Sequence, residues 1–142
     1  MQKEVIRSWP LFIGIGIMMI AHGLQMQLMG IRSVVEDFSV ITTGIFMAGY
    51  YIGYFSGSQT TPKLVQKVGH IRVFAAFASL ASLSALLAAV YVNPVTWTLS
   101  RIITGISLVS CYIVAESWLN DRASNKNRGQ LLSAYMIILY IG

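Results

Sequence analysis

Three side chains can carry charge inside otherwise apolar runs of this sequence: His22, Arg101 and Glu116. An arginine does not shed its proton in a protein. At the centre of a membrane helix it costs about 2.5–3.5 kcal/mol on insertion scales, so it turns toward a bundle interior or a wet cavity. Arg101 is therefore the first candidate for a residue lining a polar path. A histidine such as His22 can serve the same path, or it can simply hydrogen-bond a backbone carbonyl. Glu116 falls near headgroup depth, where a structural role is the more ordinary one. The chain has two histidines and one cysteine, Cys111. It therefore has no metal-ligand cluster, and it also lacks a glycine-rich phosphate loop ending in Lys-Ser/Thr. No enzyme chemistry, metal or cofactor is expected. Cys111 reads as a buried small apolar residue.

The elements that must hold these residues follow from composition. Of 142 residues, 56% are hydrophobic and 11% charged, against roughly 45–50% and about 25% in a soluble domain. Mean hydropathy is +0.67. Disorder is excluded, because it needs low hydrophobicity and high charge, and one cysteine excludes a disulfide scaffold. The net charge of +5 does not indicate nucleic acid, since the basic residues fall in short gaps between apolar runs, the pattern of membrane topology. The fold class expected is an all-α membrane protein, a multi-span helical bundle. Apolar runs place complete spans at about 9–29, 42–61, 73–92 and 95–119. A fifth starts near Gln130 and is still apolar at Gly142. Its length gives roughly 20 Å of helix, short of a hydrocarbon core of about 30 Å, so the sequence reads as truncated there. No soluble domain, linker or low-complexity tract is present.

Orientation is set by Lys and Arg. Lys3, Arg7, Lys63, Lys67, Arg72, Arg122, Lys126 and Arg128 fall on one side, eight of ten basic residues. Arg32 alone marks the opposite side, and the Asn93–Pro94 turn there carries none. Basic gaps stay in the cytoplasm, so the N-terminus is predicted inside. The first span is too long for a signal-peptide core, is interrupted by His22, Gln25 and Gln27, and is followed by no clean cleavage site. It is expected to be retained.

Depths follow from the spans. Arg101 lies roughly 9 Å below the outer surface and His22 roughly 20 Å above the inner one. Helices one and four, running antiparallel, would bring both to one level, with Gln25 one turn further out on the His22 face. His22, Gln25, Arg101 and Tyr112 are the substrate or cavity candidates. Three readings of Tyr50, Tyr51 and Tyr54 stay open: cavity lining, packing or an interface. Glu116, about 22 Å from Arg101 along the same helix, is expected at the cytoplasmic face near Lys67, Arg72 and Arg122.

Gly49, Gly53 and Gly57 recur at four-residue spacing and let a neighbouring backbone approach. Span three offers a comparable small-residue face in Ala75, Ser79, Ser82 and Ala89, with Ala78, Ala81, Ala85 and Ala88 nearby, and span one has Gly14 and Gly16. Packing is the preferred reading of all of them, and none chooses between transporter, channel and homo-oligomer.

The segment Pro62-Lys63-Leu64-Val65-Gln66-Lys67-Val68-Gly69-His70-Ile71-Arg72 resembles the cytoplasmic signature of the major facilitator superfamily, Gly-x-x-x-Asp-Arg-x-Gly-Arg-x-Arg. Lys67, Gly69, His70 and Arg72 match its basic-x-Gly-basic-x-basic section. Pro62 stands in place of its first glycine and Gln66 in place of its aspartate. Arg101-Ile102-Ile103-Thr104-Gly105 is similar to the family's Arg-x-x-x-Gly at the same helix. Ala115-Glu116-Ser117-Trp118-Leu119-Asn120-Asp121-Arg122 with Asn127-Arg128-Gly129 resembles a bacterial branch of permeases. The resemblance implies part of the N-terminal half of a twelve-span facilitator fold, with helices one and four lining a cavity and helix three facing lipid. It implies a cytoplasmic gate motif at Lys67, Gly69, His70 and Arg72, to which Glu116 is added by its depth, and Gly105 joins Gly49, Gly53 and Gly57 as a packing position.

The function expected is secondary active transport of a small solute by alternating access, coupled to a proton or cation. The setting would be the bacterial inner membrane, with the C-terminal half of the transporter as the missing partner. The alternatives are a small membrane scaffold or subunit, and a dimeric four-helix multidrug exporter. The exporter reading is weakened by the lack of a carboxylate in span one.

Overall fold

The computed structural model describes residues 9–123 and 128–141. Lys3, Arg7 and Lys126, which enter the orientation argument, and Gly142, the end of the expected fifth span, lie outside these residues. The described residues form five α-helices and no strand: α1 Trp9–Val35, α2 Val40–Val68, α3 His70–Val90, α4 Pro94–Arg122 and α5 Arg128–Ile141. Among them, α1, α3 and α4 are long and apolar enough to cross a membrane. α2 has the length, but its glycines, hydroxyls and C-terminal lysines lower its apolarity.

Local chemistry sets the helix ends. Ser39 caps α2, its hydroxyl accepting the Thr42 N–H at 3.1 Å, which satisfies one of the orphan donors of a first turn. Asn93 caps α4 in the same way, its Oδ1 accepting the Val95 N–H at 2.8 Å. Pro94 then takes the first helical position, where a missing N–H costs nothing. Between α2 and α3 stands a single residue, Gly69, with φ 91° and ψ 158°. That backbone region is essentially reserved for glycine.

Gly69 corrects the sequence reading at this point. The expected gap of about ten residues between spans two and three is not a loop. α2 continues past Thr61 and through Pro62 to Val68, and α3 starts at His70. Hydrocarbon length ends where charges begin, whereas the helix ends only where the backbone is broken.

The chain divides into two compact units, one of residues 30–114 and one of residues 1–29 with 115–142. In the first unit α4 packs on α2 through missing side chains. A Cβ on Gly53 would collide with the Ile102 carbonyl, and one on Gly105 with the Tyr50 carbonyl. A Cβ on Gly49 would stand 3.1 Å from the Thr98 carbonyl oxygen. The backbones are therefore in direct contact, as small residues permit in membrane helices. Hydroxyls add crosslinks. Thr61 and Ser110 share a hydrogen bond of 2.7 Å between α2 and α4. Between α3 and α4, Ser84 bonds Thr104 at 2.8 Å, and Ser100 donates to the Ser84 carbonyl at 2.8 Å.

The buried residues of α3 are Val73, Ser84 and Ala88. Ala75, Ser79, Ser82 and Ala89, expected as its small-residue face, are exposed. The packing face of α3 is thus the Ser84/Ala88 side. At one end of this unit Val65, Val73 and Val114 form a small core with Phe74 and Phe77.

In the second unit Phe12 and Ile15 of α1, Leu119 of α4, and Leu131 and Tyr135 of α5 are buried. Gly16 lets Ile138 come close, 3.5 Å from where a Cβ would stand. Along α1 the outward row Ile13, Ile17, Ile20, Leu24, Leu28 and Ile31 is 51–63% exposed. A row of large aliphatics at helical spacing, bare of protein, is a surface suited to hydrocarbon.

Candidate functional site

The site is built around Arg101, which is completely buried on α4. Gly105, one turn further along, lacks the side chain that would keep the Tyr50 backbone away. That close approach seats the Tyr50 ring beside the guanidinium, whose Cζ lies 5.0 Å from the ring centroid. A desolvated cation on an aromatic face gains about 2 kcal/mol or more from the ring quadrupole. Tyr50 in turn touches Tyr51, with centroids 5.5 Å apart, and Tyr54, at 6.0 Å. Tyr51 and Tyr54 are exposed.

Rigid packing on the neighbouring turns fixes Arg101. Trp97, one turn before it, is buried and donates its Nε1–H to the Ala88 carbonyl at 3.0 Å. Its ring is gripped edge-on by Phe46 at 5.2 Å and Phe38 at 5.4 Å. Ser100 and Thr104, on either side of Arg101, hold α3 through Ser84. Tyr112 is half-buried on the same helix, roughly 16 Å from Arg101 along the axis.

On α1, His22 and Gln25 are both half-buried, three residues apart and so on one helical face. The Gln25 Nε2 is closed to solvent and makes no hydrogen bond among the described residues. His22 and Gln25 belong to one unit and Arg101 and Tyr112 to the other.

In the α2–α3 corner Lys67 and Arg72 are exposed and His70 is half-buried. Gly69 supplies the turn, and Val65 and Val73 anchor it from below. Glu116 is exposed and lies in the other unit from Lys67 and Arg72. Arg122 stacks on the Trp118 ring at 4.3 Å.

Tyr50 is the residue whose role sequence reasoning left open. Its weak signal was position: it directly follows Gly49 and precedes Gly53 by three, so it flanks the stripe on which α4 packs.

A buried cation on an aromatic face, held in a glycine-packed bundle of long apolar helices, defines a polytopic membrane protein with a polar interior. The Major Facilitator Superfamily family model matches residues 11–142, and the chain belongs to that family. It is similar to an uncharacterised MFS-type transporter of Enterobacter sp. (strain 638), with 27% identity over 75% of this chain and 28% of the relative. It is likewise similar to the uncharacterised MFS-type transporter YcaD of Escherichia coli O45:K1, with 28% identity over 75% of this chain and 28% of that protein. The chain thus spans less than a third of the length of these relatives. No solved structure matches it. The family and the apolar helices make this an integral membrane protein. They point to transport and not to an enzyme.

Proposed function

We propose that this chain supplies helices of the N-terminal half of a longer facilitator that moves a small solute by alternating access. Arg101 acts there as a fixed charge in the transport path. One observation carries the reading: Arg101 has no exposed surface, although it sits in a helix apolar enough to span a membrane. Lipid exposure would not relieve its desolvation, and structural arginines at that depth are rare. Tyr112, on the same helix as Arg101, contributes to that path, and His22 and Gln25 are polar residues of α1 with a transport role of their own. Lys67, Gly69, His70 and Arg72 form the cytoplasmic gate motif, where exposed charges contribute only about 0–1 kcal/mol each. Their role is to favour one gate state. The protein resides in the bacterial inner membrane, N-terminus in the cytoplasm, and uses a proton or cation gradient. The family match weighs against the small-exporter and scaffold alternatives.

The test is the full-length transporter in proteoliposomes with an imposed ion gradient. Arg101→Ala is expected to abolish solute accumulation while membrane insertion stays normal. Undiminished transport by that variant would place Arg101 among purely structural residues.

A further inference from the structure

We infer that Tyr51 and Tyr54, backed by Tyr50, form an aromatic subsite on α2 that receives the ring of an aromatic solute. This rests on the transport reading above and names its substrate class.

Tyrosine on a membrane helix belongs at headgroup depth, where the ring is in apolar surroundings and the hydroxyl in water. Tyr51 and Tyr54 stand elsewhere. The apolar run of about 42–61 puts Tyr51 at its middle and Tyr54 roughly 10 Å from the end at Thr61. Both side chains are open, Tyr51 72% and Tyr54 41% exposed. Among the described residues neither hydroxyl makes a hydrogen bond, and the contacts of both side chains are ring contacts with Tyr50. A hydroxyl left in that state in hydrocarbon is costly. The face that carries the two phenols therefore looks onto a polar space and not onto lipid chains. The rest of α2 supplies the contrast. Its exposed aliphatics Ile41, Ile45 and Ile52 line one side of the helix, suited to lipid, while Tyr51, Tyr54 and Ser58 follow one another on a different side.

Continuity assigns that polar space to the solute. The Tyr51 and Tyr54 rings lie 5.5 and 6.0 Å from the Tyr50 ring, and Tyr50 in turn rests on the Arg101 guanidinium. Aromatic rings thus run unbroken from the charge in the transport path to the open face. Rings of this kind meet an aromatic guest offset-stacked or edge-to-face, with centroids about 4.5–7 Å apart. Each phenol adds one donor and one acceptor for a polar group on the guest. A polyhydroxylated solute would need a denser set of partners. The neighbouring hydroxyl on this side, Ser58, already donates to the Phe55 carbonyl at 2.7 Å.

Two measurements on the full-length transporter test the subsite. The first asks whether the face is wet. In a Cys111→Ala background, Tyr51→Cys and Tyr54→Cys should react with a small charged methanethiosulfonate in opened membranes, while Ile52→Cys on the aliphatic side should not. Unreactive thiols at both tyrosine positions would show the face covered by lipid or protein and would overturn the proposal. The second uses proteoliposomes with a proton or sodium gradient and pairs of probes that differ in ring saturation. The pairs are phenylacetate and cyclohexylacetate, phenylalanine and cyclohexylalanine, phenyl and cyclohexyl glucoside, and benzyl- and cyclohexylmethyl-trimethylammonium. Gradient-driven movement is read by mass spectrometry. At least one aromatic member is expected to move ten-fold faster than its saturated partner. Tyr51→Leu combined with Tyr54→Leu should erase that preference, and Tyr51→Phe combined with Tyr54→Phe, which keeps the ring faces, should retain most of it. Movement without an aromatic preference would overturn the substrate class while leaving transport standing. A preference that survives in a well-folded double leucine variant would overturn the assignment to α2. Movement of no probe, with intact insertion, would count against both readings.

Discussion

Arg101 and Tyr50 show how far a residue's fate follows from its own chemistry. That Arg101 leaves the lipid face was legible in the sequence, because a permanent charge in an apolar helix has nowhere cheaper to go. What it rests on was not legible. The Tyr50 ring reaches the guanidinium only through the register of α2 against α4, and that register depends on which glycine faces which carbonyl. The pair yields a direct test. Tyr50→Phe keeps an aromatic face and is expected to cost at most about 1 kcal/mol, the scale of a lost neutral hydrogen bond. Tyr50→Leu removes the face and should cost about 2 kcal/mol, the scale of a desolvated cation–π contact. Equal unfolding midpoints for the two variants would show that the ring contributes only volume.

At the scale of elements, the question is which contacts hold α2, α3 and α4 together. Glycine contacts and hydroxyl bonds both cross these interfaces. The hydroxyl bonds are short, but interhelical hydrogen bonds in membrane proteins average about 0.6 kcal/mol in double-mutant cycles, since the separated helices also find partners. Ser84→Ala combined with Thr104→Val is therefore expected to show a coupling of that small size in a denaturant titration. Glycine substitution meets backbone instead. At Gly53 or Gly105 a methyl would strike a carbonyl of the facing helix, and overpacking of this kind costs about 1–3 kcal/mol. Gly53→Ala and Gly105→Ala should each lower the unfolding midpoint well beyond the hydroxyl pair, while Gly14→Ala, with nothing within 4 Å, should be tolerated. A Gly53→Ala protein as stable as the parent would mean that α2 and α4 can separate without loss. The glycine stripe of α2 was readable from its four-residue spacing. The buried face of α3 was not, because small residues occur on nearly all its sides and only the partner decides which ones are covered. The α2–α3 corner was also misread, for a physical reason: charge marks where hydrocarbon ends, and helices extend beyond it until a residue such as Gly69 adopts a backbone angle that breaks them.

For the whole molecule the governing variable is the distribution of charge across the membrane. Eight of the ten Lys and Arg residues fall in the N-terminal segment, the α2–α3 corner and the α4–α5 connection. The last turn of α1, leading into the α1–α2 connection, holds Arg32, bonded to Glu36 at 3.3 Å, and the α3–α4 turn holds no basic residue. Basic segments resist translocation, so these two turns are expected on the periplasmic side and the α2–α3 corner in the cytoplasm. Single cysteines test this in a Cys111→Ala background, which removes a thiol that is already buried. Ser39→Cys and Asn93→Cys should react with a membrane-impermeant maleimide added to intact cells. Gln66→Cys, equally exposed, should react only after the cells are opened. Serine, asparagine and glutamine at these positions carry no charge, so the substitutions leave the topological signal itself untouched. Labelling of Gln66→Cys in intact cells with protection of Asn93→Cys would invert the orientation. It would also move the Lys67–Gly69–Arg72 gate to the outer face, where a cytoplasmic gating role could not be sustained.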